Sequence, residues 1–116
     1  MKDPDVKQDF SQLIGKTIQS INNWDEGDKS FSFVADGESY NLNIDDDGCG
    51  CNDSNAFLES ISGIENIIGK KIISVEEDSD SFGALIILKT ESDVCSIVIT
   101  HEQNGYYGFA YDLHKQ

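Results

Sequence analysis

The sequence predicts an α+β fold: a mainly antiparallel sheet of about seven strands with two helical segments, suggesting two duplicated helix–three-strand units. Three observations lead there. Apolar and polar residues alternate with period two over several short runs, the mark of half-buried strands. Two segments instead space their apolar residues as a helix does. A nine-residue motif also recurs: Leu13-Ile14-Gly15-Lys16-Thr17-Ile18-Gln19-Ser20-Ile21 returns 54 residues later as Ile67-Ile68-Gly69-Lys70-Lys71-Ile72-Ile73-Ser74-Val75.

Each element has a local reason. Asp3 caps a first helix with Pro4 at its first position, and Val6, Phe10, Leu13 and Ile14 follow at helical spacing. Gly15 ends it in a left-handed conformation, and the first strand follows. Phe31 and Phe33 alternate with serine, Asp36-Gly37 supplies a turn, and Tyr40, Leu42 and Ile44 alternate with polar residues. Asn55–Ser62 is expected as the second helix, with Phe57, Leu58 and Ile61 inward. Ser62-Gly63-Ile64-Glu65 matches a capping box that opens a short turn closing at Gly69. Strands are expected over 70–76, 82–90 and 94–100. Asn104-Gly105 then turns into Tyr107, Phe109, Tyr111 and Leu113, again with period two. The chain reads as one domain, 1–116, with repeats over 4–53 and 55–101 and a final strand over 106–113.

Charge narrows the function more than any motif. Asp and Glu number 22 against eight lysines and no arginine, a net charge of −14. No basic residue occurs from Ser30 to Gly69. Such a surface repels phosphate, which argues against direct binding to nucleic acid or an anionic membrane. It attracts proteins with basic, nucleic-acid-binding grooves. No apolar stretch approaches the ~18–20 residues of a membrane-spanning helix. The N-terminus lacks the apolar segment of a secretory signal, and three cysteines is an odd count, so a cytoplasmic protein with reduced thiols is expected.

The Leu-Ile-Gly-Lys-Thr-Ile start, the Asp36-Gly37 hairpin, the cysteines after the third strand, the second Ile-Gly-Lys and the Asn104-Gly105-Tyr106-Tyr107 ending carry a resemblance. Together they resemble a family of small uncharacterised proteins from bacteriophages and their hosts, over about Leu13 to Leu113. The resemblance brings no established activity. It implies a phage or mobile-element origin, a setting in which small acidic inhibitors of host defence are common.

Chemistry-bearing clusters are few. In Asp45-Asp46-Asp47-Gly48-Cys49-Gly50-Cys51, two thiols two residues apart offer a pair of ligands for a soft ion such as zinc. Closing that site needs two more, and Cys95 and His101 are the candidates. Core packing is the plainer role for Cys95. A calcium loop of the helix–loop–helix type fails on spacing, because Ala56 or Leu58 falls where the closing Glu is needed. His101 and His114 are the only imidazoles and no nucleophile motif surrounds them, so the chain reads as non-enzymatic.

The favoured reading is therefore an acidic protein-binding module that mimics nucleic-acid charge towards a basic, nucleic-acid-binding partner. Its expected contact residues are Asp25, Glu26 and Asp28, Asp45, Asp46 and Asp47, and Glu76, Glu77, Asp78 and Asp80. Trp24 and Tyr106 would supply aromatic anchors. The alternative is a small regulatory domain that binds metal or another ligand through Cys49 and Cys51. A third is an assembly module whose edge strands pair in a homodimer.

Overall fold

The computed structural model describes residues 10–46, 55–80, 82–102 and 109–115. Its strands are β1 (Ile18–Ile21), β2 (Ser30–Ala35), β3 (Glu38–Asp46), β4 (Asn55–Ser62), β5 (Ser74–Asp80), β6 (Gly83–Lys89), β7 (Val94–Glu102) and β8 (Phe109–Lys115). They form two four-stranded antiparallel sheets, ordered β1-β2-β3-β8 and β4-β7-β6-β5. The fold is mostly β, which corrects the α+β expectation. Helix among the described residues is confined to a 3-10 turn, Phe10–Leu13, and a single α-helical turn, α1 (Ile64–Ile67).

The segment expected as the second helix is instead the strand β4. It pairs with β7 from Asn55 opposite Glu102 to Ser62 opposite Ser96, with a bulge between Leu58 and Ser60. Ala56, Leu58 and Ile61 are its buried residues. The bulge inserts one residue, stretching the interval from Leu58 to Ile61 to three. In a sequence that interval is a helical one, which is why a bulged strand reads as a helix. The capping box does not form either: Gly63 stands at the N-cap of α1 with φ 81° and no side-chain cap. A Cβ there would lie 2.5 Å from the Val94 carbonyl oxygen, so close backbone approach is what requires glycine. Of the first expected helix, residues before Phe10 lie outside the described ones.

Neither half is a helix–three-strand unit. β1, β2 and β3 form one meander and β5, β6 and β7 another. The strand that follows each meander joins the other's sheet: β4 pairs with β7, and β8 pairs with β3. The recurring motifs meet where the halves join. Gly15 N donates to Ile72 O at 2.7 Å, and Gly69 N donates to Ile18 O at 2.9 Å. Thr17 bridges Lys71 between these two bonds. Replacing each residue by its counterpart 54 positions away turns the Gly15–Ile72 bond into the Gly69–Ile18 bond, and Thr17 meets its own counterpart Lys71, the reciprocity of a local two-fold.

One core lies between the sheets. Phe31, Phe33, Tyr40, Leu42 and Ile44 meet Ile86, Leu88, Ile97 and Ile99, with Phe10, Leu13, Ile64 and Ile67 closing the ends. Phe33 and Tyr40 stack with centroids 5.6 Å apart. Burying each such side chain contributes roughly 1.5–3 kcal/mol before conformational entropy is subtracted. The outer edge of β4 is protected by the β1–β2 connection. Gly27 N donates to Leu58 O, and Leu58 N donates to Asp28 O, both at 2.8 Å. Lys29 Nζ adds bonds to Asn55 Oδ1 at 2.9 Å and Ala56 O at 2.5 Å. A covered edge with a lysine on it resists pairing with another chain.

Candidate functional site

With the inner faces committed to the core, the outer faces are what the two sheets present to solvent, and these differ. On the first sheet the outer rows are Ser30, Ser32 and Val34 of β2, Ser39, Asn41, Asn43 and Asp45 of β3, and Asp112 and His114 of β8. These polar groups satisfy one another: Asn41 Nδ2 donates to Asn43 Oδ1 at 2.7 Å, and His114 Nδ1 lies 3.0 Å from Asp112 Oδ1.

On the second sheet the outer rows are aliphatic at the centre. Leu85 stands opposite Val98, and Ile87 stands opposite Ser96. Phe57 flanks them on β4, opposite Thr100. Leu85 is 40% exposed and Phe82, in the turn before β6, is 64% exposed. Acids border this apolar centre. Asp78 and Glu76 of β5 stand opposite Leu85 and Ile87, and Asp80 stands opposite Gly83. Towards the far edge Glu59 accepts a hydrogen bond from Thr100 Oγ1, and the acidic turn carrying Asp25, Glu26 and Asp28 is bonded to β4 beyond it. The strands separating these two acidic borders span about 14 Å. Beside β5 a hollow of about 350 Å³ opens over Leu85, Val98 and Gly83, walled by Phe82, Asp78 and Asp80. At Gly83 the backbone passes close to β7, where a Cβ would sit 2.3 Å from the Ile99 carbonyl oxygen.

A larger hollow, about 570 Å³, lies by the β6–β7 turn between Lys70, Lys71, Ile73 and Ser92. Its chemistry is already internally balanced. Lys70 pairs with Asp93, and this bond, with that from Ser92, holds the Asp93 carboxyl below its usual value.

The expected contact residues divide. Asp25, Glu26, Glu76, Asp78 and Asp80 are exposed, and Asp28 is half-buried, its Oδ2 accepting from Asp25 N at 2.8 Å. Glu76 also pairs with Lys89 at 2.9 Å. Glu77 points the other way. Its Oε2 accepts from Phe10 N at 3.0 Å and its Oε1 from Tyr111 OH at 2.5 Å, tying β5 to the 3-10 turn and to β8. Asp45 stands opposite Ala110 on the outer face of the first sheet, away from the others. Asp46 ends β3, whereas Asp47 and Tyr106 lie outside the described residues. Trp24 packs against the core as a half-buried side chain and is not a projecting anchor.

Cys95 and His101 do not come together as ligands. Both face the core from β7, six residues apart, or about 20 Å along a strand. Burial pushes the Cys95 thiol up to about 12, which disfavours the thiolate that a metal or an electrophile would need. His101 packs its ring on Phe109 with centroids 4.9 Å apart. Cys49 and Cys51 lie outside the described residues. Among the described residues no group of three or more His, Cys, Asp or Glu is placed to hold a metal ion, and no helix is long and apolar enough to cross a membrane.

Sequence reasoning missed Phe82, Leu85, Ile87 and Val98. The available signal is the apolar run Ala84-Leu85-Ile86-Ile87-Leu88, which makes both faces of β6 apolar. Such a run implies either a strand covered on both sides or one with an apolar face left open.

Two stacked antiparallel sheets, one outer face polar and the other apolar with acidic borders, define a small acidic β domain. The chain belongs to the DUF7448 family, a domain of unknown function matched over residues 11–113. Neither a curated protein nor a solved structure matches the chain.

Proposed function

We propose that this domain is a non-enzymatic, cytosolic protein-binding module that presents the outer face of its second sheet to a basic partner. The observation that carries the reading is the outward-facing aliphatic centre, exposed Leu85 with half-buried Val98 and Ile87, bordered by Glu76, Asp78 and Asp80 on one edge strand. Apolar contact supplies affinity at the centre of an interface, and charge at the rim sets partner choice and encounter rate. A second copy is a poor occupant, because each chain carries −14 and the acidic borders would repel.

The favoured partner is a nucleic-acid-binding protein whose lysines and arginines normally face phosphate. Inhibition of a host defence protein by a phage-encoded charge mimic is the specific form of this reading. Its support is the charge balance and the resemblance described above. The test is affinity capture at low and high salt by the wild-type protein and by a Leu85→Ser/Val98→Ser variant. Capture of a nucleic-acid-binding protein that weakens with salt and is lost in the variant is expected. Salt-independent capture, or capture that the variant retains, contradicts it.

A further inference from the structure

Resting on that reading, we infer that the hollow over Leu85 and Val98 is an anchor pocket for an arginine side chain of the protein partner. Three features select arginine. The floor, Leu85 and Val98 with Gly83 beside them, is apolar and low, suited to the methylene stem of a long basic side chain. One wall is the ring of Phe82, 64% exposed and therefore available for a planar cation to stack upon. The other wall carries Asp78 and Asp80, two residues apart on the outer row of β5 and about 7 Å from one another along the strand. A guanidinium presents its donors in a flat fork, so it can stack on the ring and reach a carboxylate at the same time. An ammonium is a compact, strongly hydrated point charge that gains much less from the ring and the flat floor.

The local structure keeps these walls in place without a partner. Asp80 Oδ1 accepts from Phe82 N at 2.8 Å, fixing the turn that presents the ring. Gly83 cannot gain a side chain without striking the Ile99 carbonyl, so close approach of the β6 and β7 backbones holds glycine at this position. The first sheet offers no counterpart, because its outer rows on β2 and β3 are mostly serine and asparagine, with Val34 as their one aliphatic residue.

The test compares two synthetic peptides that differ only in carrying three arginines or three lysines among leucine and glycine, titrated calorimetrically into the full chain. The arginine peptide should bind about fivefold more tightly, the equivalent of one exposed cation–ring contact. Phe82→Ala should abolish that preference and leave the lysine peptide unchanged. Asp78→Asn with Asp80→Asn should weaken the arginine peptide more than Asp25→Asn with Glu26→Gln does. All these side chains are exposed, and an asparagine in place of Asp80 retains the acceptor oxygen that Phe82 N uses, so the variants should fold. Equal affinity for the two peptides, or a preference that survives Phe82→Ala, overturns the anchor while leaving a basic partner in place. Binding of neither peptide overturns the anchor and counts against the basic-partner reading as well.

Discussion

The first sheet builds its outer face from Ser32, Asn41, Asn43 and Asp112, whereas the second places Leu85, Ile87 and Val98 at the matching level of the fold. Both sheets have the same connectivity and each contributes one face to the same core. The first shows that this architecture closes with a polar exterior. The aliphatic row of the second is therefore not demanded by folding, and exposed aliphatic area costs solubility unless something covers it. The same contrast separates neighbouring acids. Glu76 and Asp78 face outward on β5, while Glu77 between them is turned in to receive Phe10 N and Tyr111 OH.

The largest effect is expected on β7, whose inner row holds Cys95 and whose outer row holds Val98. The thiol is raised from 9.0 to about 12 by burial. Below the lower value it is protonated whether the chain is folded or not. Between the two it ionises only in the unfolded chain, so stability falls as pH rises through this window. The loss should be about 1.4 kcal/mol per pH unit crossed, several kcal/mol in all. Chemical denaturation of the wild type and of Cys95→Ala from neutral pH upward should show the gap between them narrowing. A constant gap would mean the thiol is not held neutral.

Next, the connections into the second strand of each meander should respond unequally. Gly83→Ala forces a Cβ against the Ile99 carbonyl and should cost about 3 kcal/mol. Gly27→Ala, in the first-sheet connection, meets no atom within 4 Å and should cost only its φ +97° strain, about 1–2 kcal/mol. Thermal melts of both decide it. The acidic strand gives a smaller contrast: Glu77→Ala should lose about 2 kcal/mol by stranding the Phe10 amide and the Tyr111 hydroxyl. Glu76→Ala, which removes an exposed pair with Lys89, should change stability by less than about 0.5 kcal/mol. The outer aliphatic row supplies the last contrast: Val98→Thr should stay within about 1 kcal/mol, because the side chain is only half-buried. A loss as large as a core truncation would mean that this row belongs to folding after all.

β5 is displaced from the expected 70–76 to Ser74–Asp80, but six of the other strands are legible in the sequence because period-two burial survives in residues such as Phe31, Phe33, Tyr40 and Leu42. β4 is not, because its bulge gives Leu58 and Ile61 a helical interval. The exchange of β4 and β8 between sheets is hidden as well, since pairing between strands far apart in the chain leaves no local pattern. Of the candidate site, the acids are visible as charge but their facing is not. Glu76 and Glu77 are chemically alike, and only the pairing of β5 with β6 decides which one meets solvent. Trp24 misleads for the same reason: its polar neighbours Asn23 and Asp25 are exposed, and the ring between them turns back onto the core.

If the outer face of the second sheet binds and that of the first does not, residue-resolved NMR titration with the arginine peptide will separate them. Shifts should concentrate at Phe82, Leu85, Ile87 and Val98, with Ser32, Asn41 and Asn43 unmoved. Shifts spread evenly over both faces, or centred on the first sheet, would contradict binding by the second sheet alone.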